Sequence, residues 1–482
     1  MTRLRLALLA VPALLAAAAS AQPVAFVDVA LVPLDSARVL PHQTVVVEGG
    51  RIASVGPASA AVVPDGATVV DGRGRFLMPG LADMHVHLQY PGSPASVEDN
   101  RATFALLLAH GVTTVRNLWG TESTVALRDS LEAGLVLGPR VWTSGPFVVG
   151  RPDSLGTPWA PAEVEPDAPY LLAGSEADGR AVARYHVDRG YDMIKVHNYT
   201  SAAAYRGLVD EAERLGVPVV GHAPWSLGIA RVLATGGQNS LEHYSQFSAL
   251  VQASGAPSRT ADAWYERVFG AFRSIDPERL SLLAELAAAS DTWFVPTALV
   301  AEWYSAPQSK MLAHLDDPAL GRYTSPAQRA VWREYARGFA SNYEPWGIDM
   351  GLERPFALAF VRALHQAGAK VLVGTDAPAT MAPQGAAVHD EMALWAEAGV
   401  PPLAVLRAAT VEPARYLRES GLADGPSGLA AGAPADLVLL RADPLADIGH
   451  ARQIEAVVVR GRYLDRARLD ALLADVARTY AD

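Results

Sequence analysis

The chain contains no cysteine. That excludes disulfides, thiolate metal ligands and a lipid-modified cysteine behind a leader. Any metal must then be held by nitrogen and oxygen, a donor set that suits zinc and also manganese, iron or cobalt. Basic charge is scarce too: 40 Lys and Arg against 51 Asp and Glu leave a formal charge of −11. An acidic surface with no basic stripe repels phosphates, so nucleic acid is excluded as a partner. After the first 21 residues every apolar run is broken by Gly, Pro or charge, so none reaches the roughly 20 residues that cross a bilayer. A Gly-x-Ser-x-Gly elbow is absent. There is no internal repeat, and no low-complexity tract beyond the alanine-rich start.

That start reads as a cleavable export signal over residues 1–21. Arg3 and Arg5 supply charge, Leu6 to Ala18 an apolar core, and Ala19-Ser20-Ala21 a small-residue cleavage site. The core is shorter than a membrane span, which favours cleavage before Gln22 and a secreted or periplasmic protein over an anchored one.

Hydrophobic residues make up half of the 482 positions, beside 40 Gly and 34 Pro. This is ample for a large core, and too long for one ordinary domain unless the domain is a barrel. From Val24 to Val70 short β-type runs alternate with turns, as where Val45-Val46-Val47-Glu48 leads into Gly49-Gly50. The texture returns in Leu437-Val438-Leu439-Leu440 and Val457-Val458-Val459. Residues 22–78 and 429–482 are therefore predicted to build one small β-sandwich domain, ending in a C-terminal helix. Two separate end modules, of about 50 residues each, would be thin for independent cores.

Between them, over 79–428, strand-like and helix-like segments alternate in the manner of parallel βα units. Strand candidates fall at 81–87, 112–118, 140–146, 192–198, 217–222, 239–243, 292–299 and 370–376. Helical stretches include Asn100–His110, Glu176–Arg189, Ala202–Leu215 and Arg279–Ala289. The expected fold is α/β, a (β/α)8 TIM-like barrel. An open doubly wound sheet is the alternative, but it has no reason to bring its first and eighth strand ends together.

Chemistry-bearing residues gather at these strand ends. His85 and His87 are two apart, and in an extended strand both imidazoles aim to one side. Lys195, His222, His243 and Asp376 each end a later apolar run. All six lie at the C-terminal ends of strands one, four, five, six and eight, the face where barrels carry their sites. Around them, His197 shares the strand side of Lys195 and either touches substrate or supports the site from behind. Arg116 can meet a substrate carboxylate or close the barrel in an ion pair. Tyr199 and Tyr244 follow ligand-bearing strand ends and can donate to a carbonyl, and His389, near Glu391, is a pocket candidate. Residues 147–175, 244–291 and 300–350 do not fit the alternation and suit lids or pocket walls. Their aromatics, among them Trp264, Tyr265, Trp303, Tyr304, Tyr323, Trp332, Tyr335 and Trp346, are expected mostly to pack the insertions' own cores.

These residues resemble the amidohydrolase superfamily, and within it the imidazolonepropionase-like and Xaa-Pro dipeptidase-like metallohydrolases. The motifs that carry the resemblance are Val69-Val70-Asp71-Gly72, Pro79-Gly80-Leu81-Ala82-Asp83-Met84-His85-Val86-His87, Gly221-His222-Ala223, Leu241-Glu242-His243 and Gly374-Thr375-Asp376-Ala377. The resemblance implies two divalent metal ions, with zinc the first choice. His85 and His87 would hold one, His222 and His243 the other, and Lys195 would bridge both as a CO2-derived carbamate. It further implies that Asp376 ligates the first ion and moves protons while a hydroxide held between the metals attacks. The implied reaction is hydrolysis of an amide C–N bond in a dipeptide or an N-acyl amino acid, with a small molecule or small peptide as partner and a homo-oligomer left open. A lactone, cyclic imide or phosphotriester is attacked by the same hydroxide, so these substrates stay open. A barrel that only binds would be expected to have lost ligands, and none of the six is missing.

Two pocket loops depart from the family pattern. His222 is followed by Ala223-Pro224-Trp225, where relatives often carry a small residue, His or Tyr last, which makes Trp225 a candidate substrate contact. Phe147-Val148-Val149-Gly150-Arg151-Pro152 replaces a Gly- and His-rich loop. Dipeptidase specificity therefore does not transfer directly.

Overall fold

The computed structural model describes residues 22–88, 97–150, 170–251, 275–343 and 350–481. The signal at 1–21, and Trp264, Tyr265 and Trp346, lie outside the described residues. Strands β1 (Val24–Leu31), β2 (Leu40–Glu48), β3 (Arg51–Pro57), β4 (Thr68–Asp71) and β5 (Phe76–Pro79) come first. The middle carries β6 (Leu81–Val86), β7 (Val112–Asn117), β8 (Arg140–Thr143), β9 (Phe147–Val149), β10 (Tyr170–Leu172), β11 (Ile194–Val196), β12 (Val219–Gly221), β13 (Ser240–Glu242) and β14 (Trp293–Val295). Last come β15 (Leu437–Leu440), β16 (Ile454–Val459) and β17 (Arg462–Asp465).

The two β-rich ends join. They form one eight-stranded sheet in the order β17-β16-β15-β5-β1-β2-β3, with β4 beside β1. The seam is the antiparallel pairing of β5 with β15, in which Leu77 faces Leu439. Gly49 and Gly50, both at positive φ (57° and 79°), make the tight β2–β3 hairpin turn that L side chains resist. Phe26, Val29, Val45, Val47 and Ile52 from the first segment bury against Leu437, Leu439 and Val458 from the last. Neither segment holds that core alone.

The middle is built of parallel pieces: β6-β7-β8, β10-β9-β11-β12 and β13-β14. Every residue of β6, β11, β12, β13 and β14 is buried, as expected of parallel strands covered on both faces. Single bridges link the pieces. Ser144 pairs with Met193, Phe294 with Val371 and Val86 with Ala377, and Asn239 N–H donates to Val219 O at 2.7 Å. The helices fall close to their expected places, at Val97–Ala109, Glu176–Asp188, Ala202–Leu215 and Pro277–Ala288. Helix Ala202–Leu215 shows why: Ser201 Oγ accepts from Ala204 N–H at its start, and Gly216 (φ 70°) ends it in a left-handed turn.

Three local features differ from the sequence reading. The eighth strand candidate, 370–376, forms only the Val371 bridge, because Gly374 is wedged against its neighbours and Asp376 turns left-handed (φ 61°). The stretch after the third strand contributes β9 and β10 to the parallel sheet. The segment after the seventh strand is helical, with helices at Leu299–Tyr304, Gln308–Leu315, Pro318–Gly321 and Pro326–Tyr343. Trp303, stacked on His314 at 4.1 Å, and Tyr304, 5.4 Å from Tyr335, pack within the insertion as expected, whereas buried Trp332 donates to Pro378 O at 2.8 Å and Tyr323 packs against Ala102 and Val476, outside it. Among the described residues no helix is long and apolar enough to cross a membrane.

Candidate metal centre

The six ligand candidates meet. His85 and His87 leave the end of β6 with ring centroids 5.3 Å apart, both buried. Asp376, nearly three hundred positions later, is brought to them by its own backbone, since Asp376 N–H donates to His85 O at 2.7 Å. Its Oδ1 then lies 2.8 Å from His87 Nε2 and 3.3 Å from His85 Nε2. Ligand atoms of these three residues all fall within 4.8 Å of one another. Lys195, central in β11, places Nζ 3.3 Å from His85 Nε2. The His243 ring is 4.7 Å from that of His85 and 4.8 Å from that of His222, and its Nδ1 lies 3.9 Å from Asp376 Oδ2.

The backbone is strained where the cluster forms. His243 (φ 67°), Thr297 (φ 50°) and Asp376 (φ 61°) all sit in the left-handed region, which a β-branched threonine rarely adopts. Thr297 Oγ1 is 2.9 Å from His243 Nδ1, and Asn198 Oδ1 holds His222 Nδ1. Asp83 accepts from Thr375 N–H (3.0 Å) and Thr375 Oγ–H (2.7 Å), and so ties the first strand to the segment that carries Asp376.

Burial sets the protonation states. It lowers His87 to about 4, His243 to about 3, and His222 well below the usual histidine range, so these imidazoles are neutral at pH 7 with lone pairs available. Burial opposes ionisation of Asp376, but its polar surroundings of His85, His243 and His87, the last 2.8 Å from Oδ1, hold its carboxyl well below the carboxylate norm. Burial also brings the Lys195 amine down to about 8, against the pull of Asp376 and Glu242. Neutral imidazoles, an ionised carboxylate and a readily deprotonated amine are a donor set that fits a divalent cation without thiolate.

A wall of rings stands on one side. Trp119 stacks on Phe147 at 4.2 Å, Phe147 on His197 at 5.6 Å and His197 on Tyr199 at 5.5 Å, and Trp225 meets Tyr199 edge-on at 5.0 Å. The wall touches the cluster, because Lys195 Nζ lies 4.7 Å over the Phe147 ring and Trp119 meets His87 at 5.8 Å. His197, Tyr199 and Trp225, the candidate substrate contacts of the sequence, all belong to this wall. Phe147 opens the loop that departs from the family pattern, and Trp119 is an addition whose only signal was position just past a strand end.

Three expected substrate contacts are instead engaged with the protein. Arg116 is fully buried and bonded to Glu242, Ser240 and Met84 O, so the ion-pair alternative holds. Tyr244 is fully buried, and its hydroxyl donates to Glu353. His389 sits in helix Ala386–Glu397 with Nε2 2.9 Å from His110 O, in the packing between helices.

The amidohydrolase family profile matches residues 76–464, and the chain belongs to that family. Among curated proteins it is similar to an imidazolonepropionase from Bradyrhizobium sp., 29% identical over 264 residues, covering 46% of this chain and 64% of the relative. It is also similar to a dihydroorotase from Mycobacterium tuberculosis, 41% identical over 101 residues, 21% of each chain. The chain thus spans less than two thirds of the length of these relatives. Among solved structures it is similar to a bottromycin amidohydrolase (26% identity, TM-score 0.70, covering 95% of this chain and 90% of that one). It also shares the fold of a Xaa-Pro dipeptidase with methionine bound in its active site (19% identity, TM-score 0.63, covering 92% and 100%).

Proposed function

We propose that this protein is a metal-dependent hydrolase that cleaves an amide C–N bond in an N-acyl amino acid or small peptide. The observation that carries the reading is Asp376 Oδ1 standing 2.8 and 3.3 Å from two histidines on a strand almost three hundred residues earlier. His85, His87 and Asp376 would hold one cation and His222 and His243 a second, with Lys195 as a carbamate between them. Carbamate formation needs the neutral amine, which a lysine lowered to about 8 supplies far more readily than an exposed one. When bound, the metals would supply Lewis acidity and lower the pKa of water to roughly 7.

The chain's own residues do the rest. Asp376, held ionised, accepts the proton of the attacking water and returns it to the leaving nitrogen. The ring wall from Trp119 to Trp225 excludes water on one side and seats a flat or apolar substrate group. We further propose that residues 79–428 close as a (β/α)8 barrel, which the bridges Ser144–Met193, Phe294–Val371 and Val86–Ala377 support. The terminal sheet would fold over its own buried face as a small sandwich, and residues 1–21 would direct export to the periplasm or beyond.

The test is a panel of N-acyl amino acids, Xaa-Pro dipeptides, lactones and phosphotriesters offered to zinc-loaded protein, with a chelated control. Amide turnover that is lost on chelation and restored by zinc is expected. Turnover indifferent to chelation, or confined to lactones or phosphotriesters, overturns the proposal.

A further inference from the structure

We propose that Glu242 is a positioning residue that fixes the tautomer of His85, with Arg116 and Ser240 holding Glu242 to that role. The inference rests on the metal-centre reading of the site. Glu242 Oε2 lies 2.9 Å from His85 Nδ1. Its other oxygen accepts from Arg116 Nη2 at 2.8 Å and from Ser240 Oγ at 2.5 Å. Arg116 is fixed in turn, donating from Nε to Met84 O (2.7 Å) and from Nη1 to Ser240 Oγ (2.9 Å), with its guanidinium 4.8 Å from the Tyr416 ring centre. His85, Arg116, Ser240 and Glu242 are each 0% exposed. Water cannot replace any of these bonds.

A carboxylate only accepts, so a proton must sit on His85 Nδ1, and the neutral ring that a metal requires then has its lone pair on Nε2. Nε2 is the atom that faces the site, 3.3 Å from Lys195 Nζ and 3.3 Å from Asp376 Oδ1. A lone pair opposite a carboxylate oxygen at that range is repulsive unless a cation lies near both. The two histidines of the second pair are held differently: His222 by the Asn198 amide oxygen and His243 by the Thr297 hydroxyl, both neutral partners. Of these three, His85 has a carboxylate hydrogen-bonded to its Nδ1, backed by an arginine from β7. The pairing of β6, β7 and β13 residues inside the fold therefore aims one lone pair at the metal position, as carboxylate–histidine–metal arrangements do.

The experiment measures zinc affinity by chelator competition, and histidine tautomers by long-range 15N–1H correlation of the metal-free, histidine-labelled protein. Wild type, Glu242→Gln, Ser240→Ala and His85→Ala are compared. Glu242→Gln is expected to weaken zinc binding about 10–100-fold and to remove the Nδ1–H signature of His85. Ser240→Ala, the milder change that keeps the ion pair, should lose a few-fold. A role confined to holding strands together would lower the melting temperature and leave the affinity and tautomer of the folded fraction unchanged, which overturns the proposal. If His85→Ala retains full zinc binding, the metal-centre reading itself fails, a result separable from a failure of Glu242 alone.

Discussion

Glu353 offers a test of the buried electrostatics that needs neither substrate nor metal. The side chain is 0% exposed, and its described partner is the Tyr244 hydroxyl. Burial raises its carboxyl to about 8, from an ordinary value near 4.5. At 1.36 kcal/mol per pH unit, ionising it in the folded protein costs about 5 kcal/mol more than in the unfolded chain. The sign follows from proton counting. Between pH 4.5 and about 8 the unfolded chain has released this proton and the folded protein still holds it, so stability falls as pH rises through that window. The contribution is complete below pH 4.5 and gone above about 8. Replacing Glu353 with Gln keeps an acceptor for Tyr244 and removes the titration. With roughly 2.1 cal/mol/K of unfolding entropy per residue, about 5 kcal/mol corresponds to about 5 °C in a chain of this length. Melting temperatures of wild type and Glu353→Gln, measured at pH 5 and pH 8.5, should therefore diverge, with the variant gaining about 5 °C on wild type at the higher pH. Parallel pH profiles for the two proteins would refute the reasoning.

Further outcomes follow from the site. Asp376→Asn should lower kcat/KM by about 10²–10⁴ with an unchanged fold by circular dichroism, because the amide cannot take the proton; turnover near wild type would remove Asp376 from its assigned role. Phe147→Ala should reduce kcat/KM for substrates bearing an aromatic group about 2–10-fold relative to aliphatic ones, the value of one ring contact; an equal loss for both would make the wall mere packing. Gly374→Ala would put a Cβ 2.5 Å from Val295 Cγ1 and 2.9 Å from His85 N. It should cost about 1–3 kcal/mol of stability by overpacking and weaken metal binding through His85, read as a lower melting temperature and a weaker zinc affinity.

The strands at 81–87, 192–198, 217–222 and 239–243, which carry five of the six ligand candidates, were legible because each is a short apolar run, and side-chain alternation fixes where the next polar residue points. They appear as Leu81–Val86, Ile194–Val196, Val219–Gly221 and Ser240–Glu242. The joining of the two ends through Leu77 and Leu439 was legible in their shared texture. The irregular 370–376 segment was not, because its conformation comes from contact of Gly374 with His85 and Val295, a relation between distant parts of the chain. The partners of polar side chains were illegible for the same reason. Arg116 could be read as an ion-pair residue, but only the fold names Glu242 as its partner, and Glu353 and the His110 carbonyl as those of Tyr244 and His389. Most members of the ring wall were named singly, but their stacking was not legible, because Trp119, Phe147 and Tyr199 share no period along the chain.

The central claim is that these six side chains surround a pair of cations. Anomalous diffraction at the zinc edge, from crystals of zinc-loaded protein, tests it most directly. The account predicts two peaks, one among His85, His87 and Asp376 and one between His222 and His243, with density on Lys195 reaching both. Peaks elsewhere, or no zinc within coordinating reach of His85 and Asp376, would contradict it.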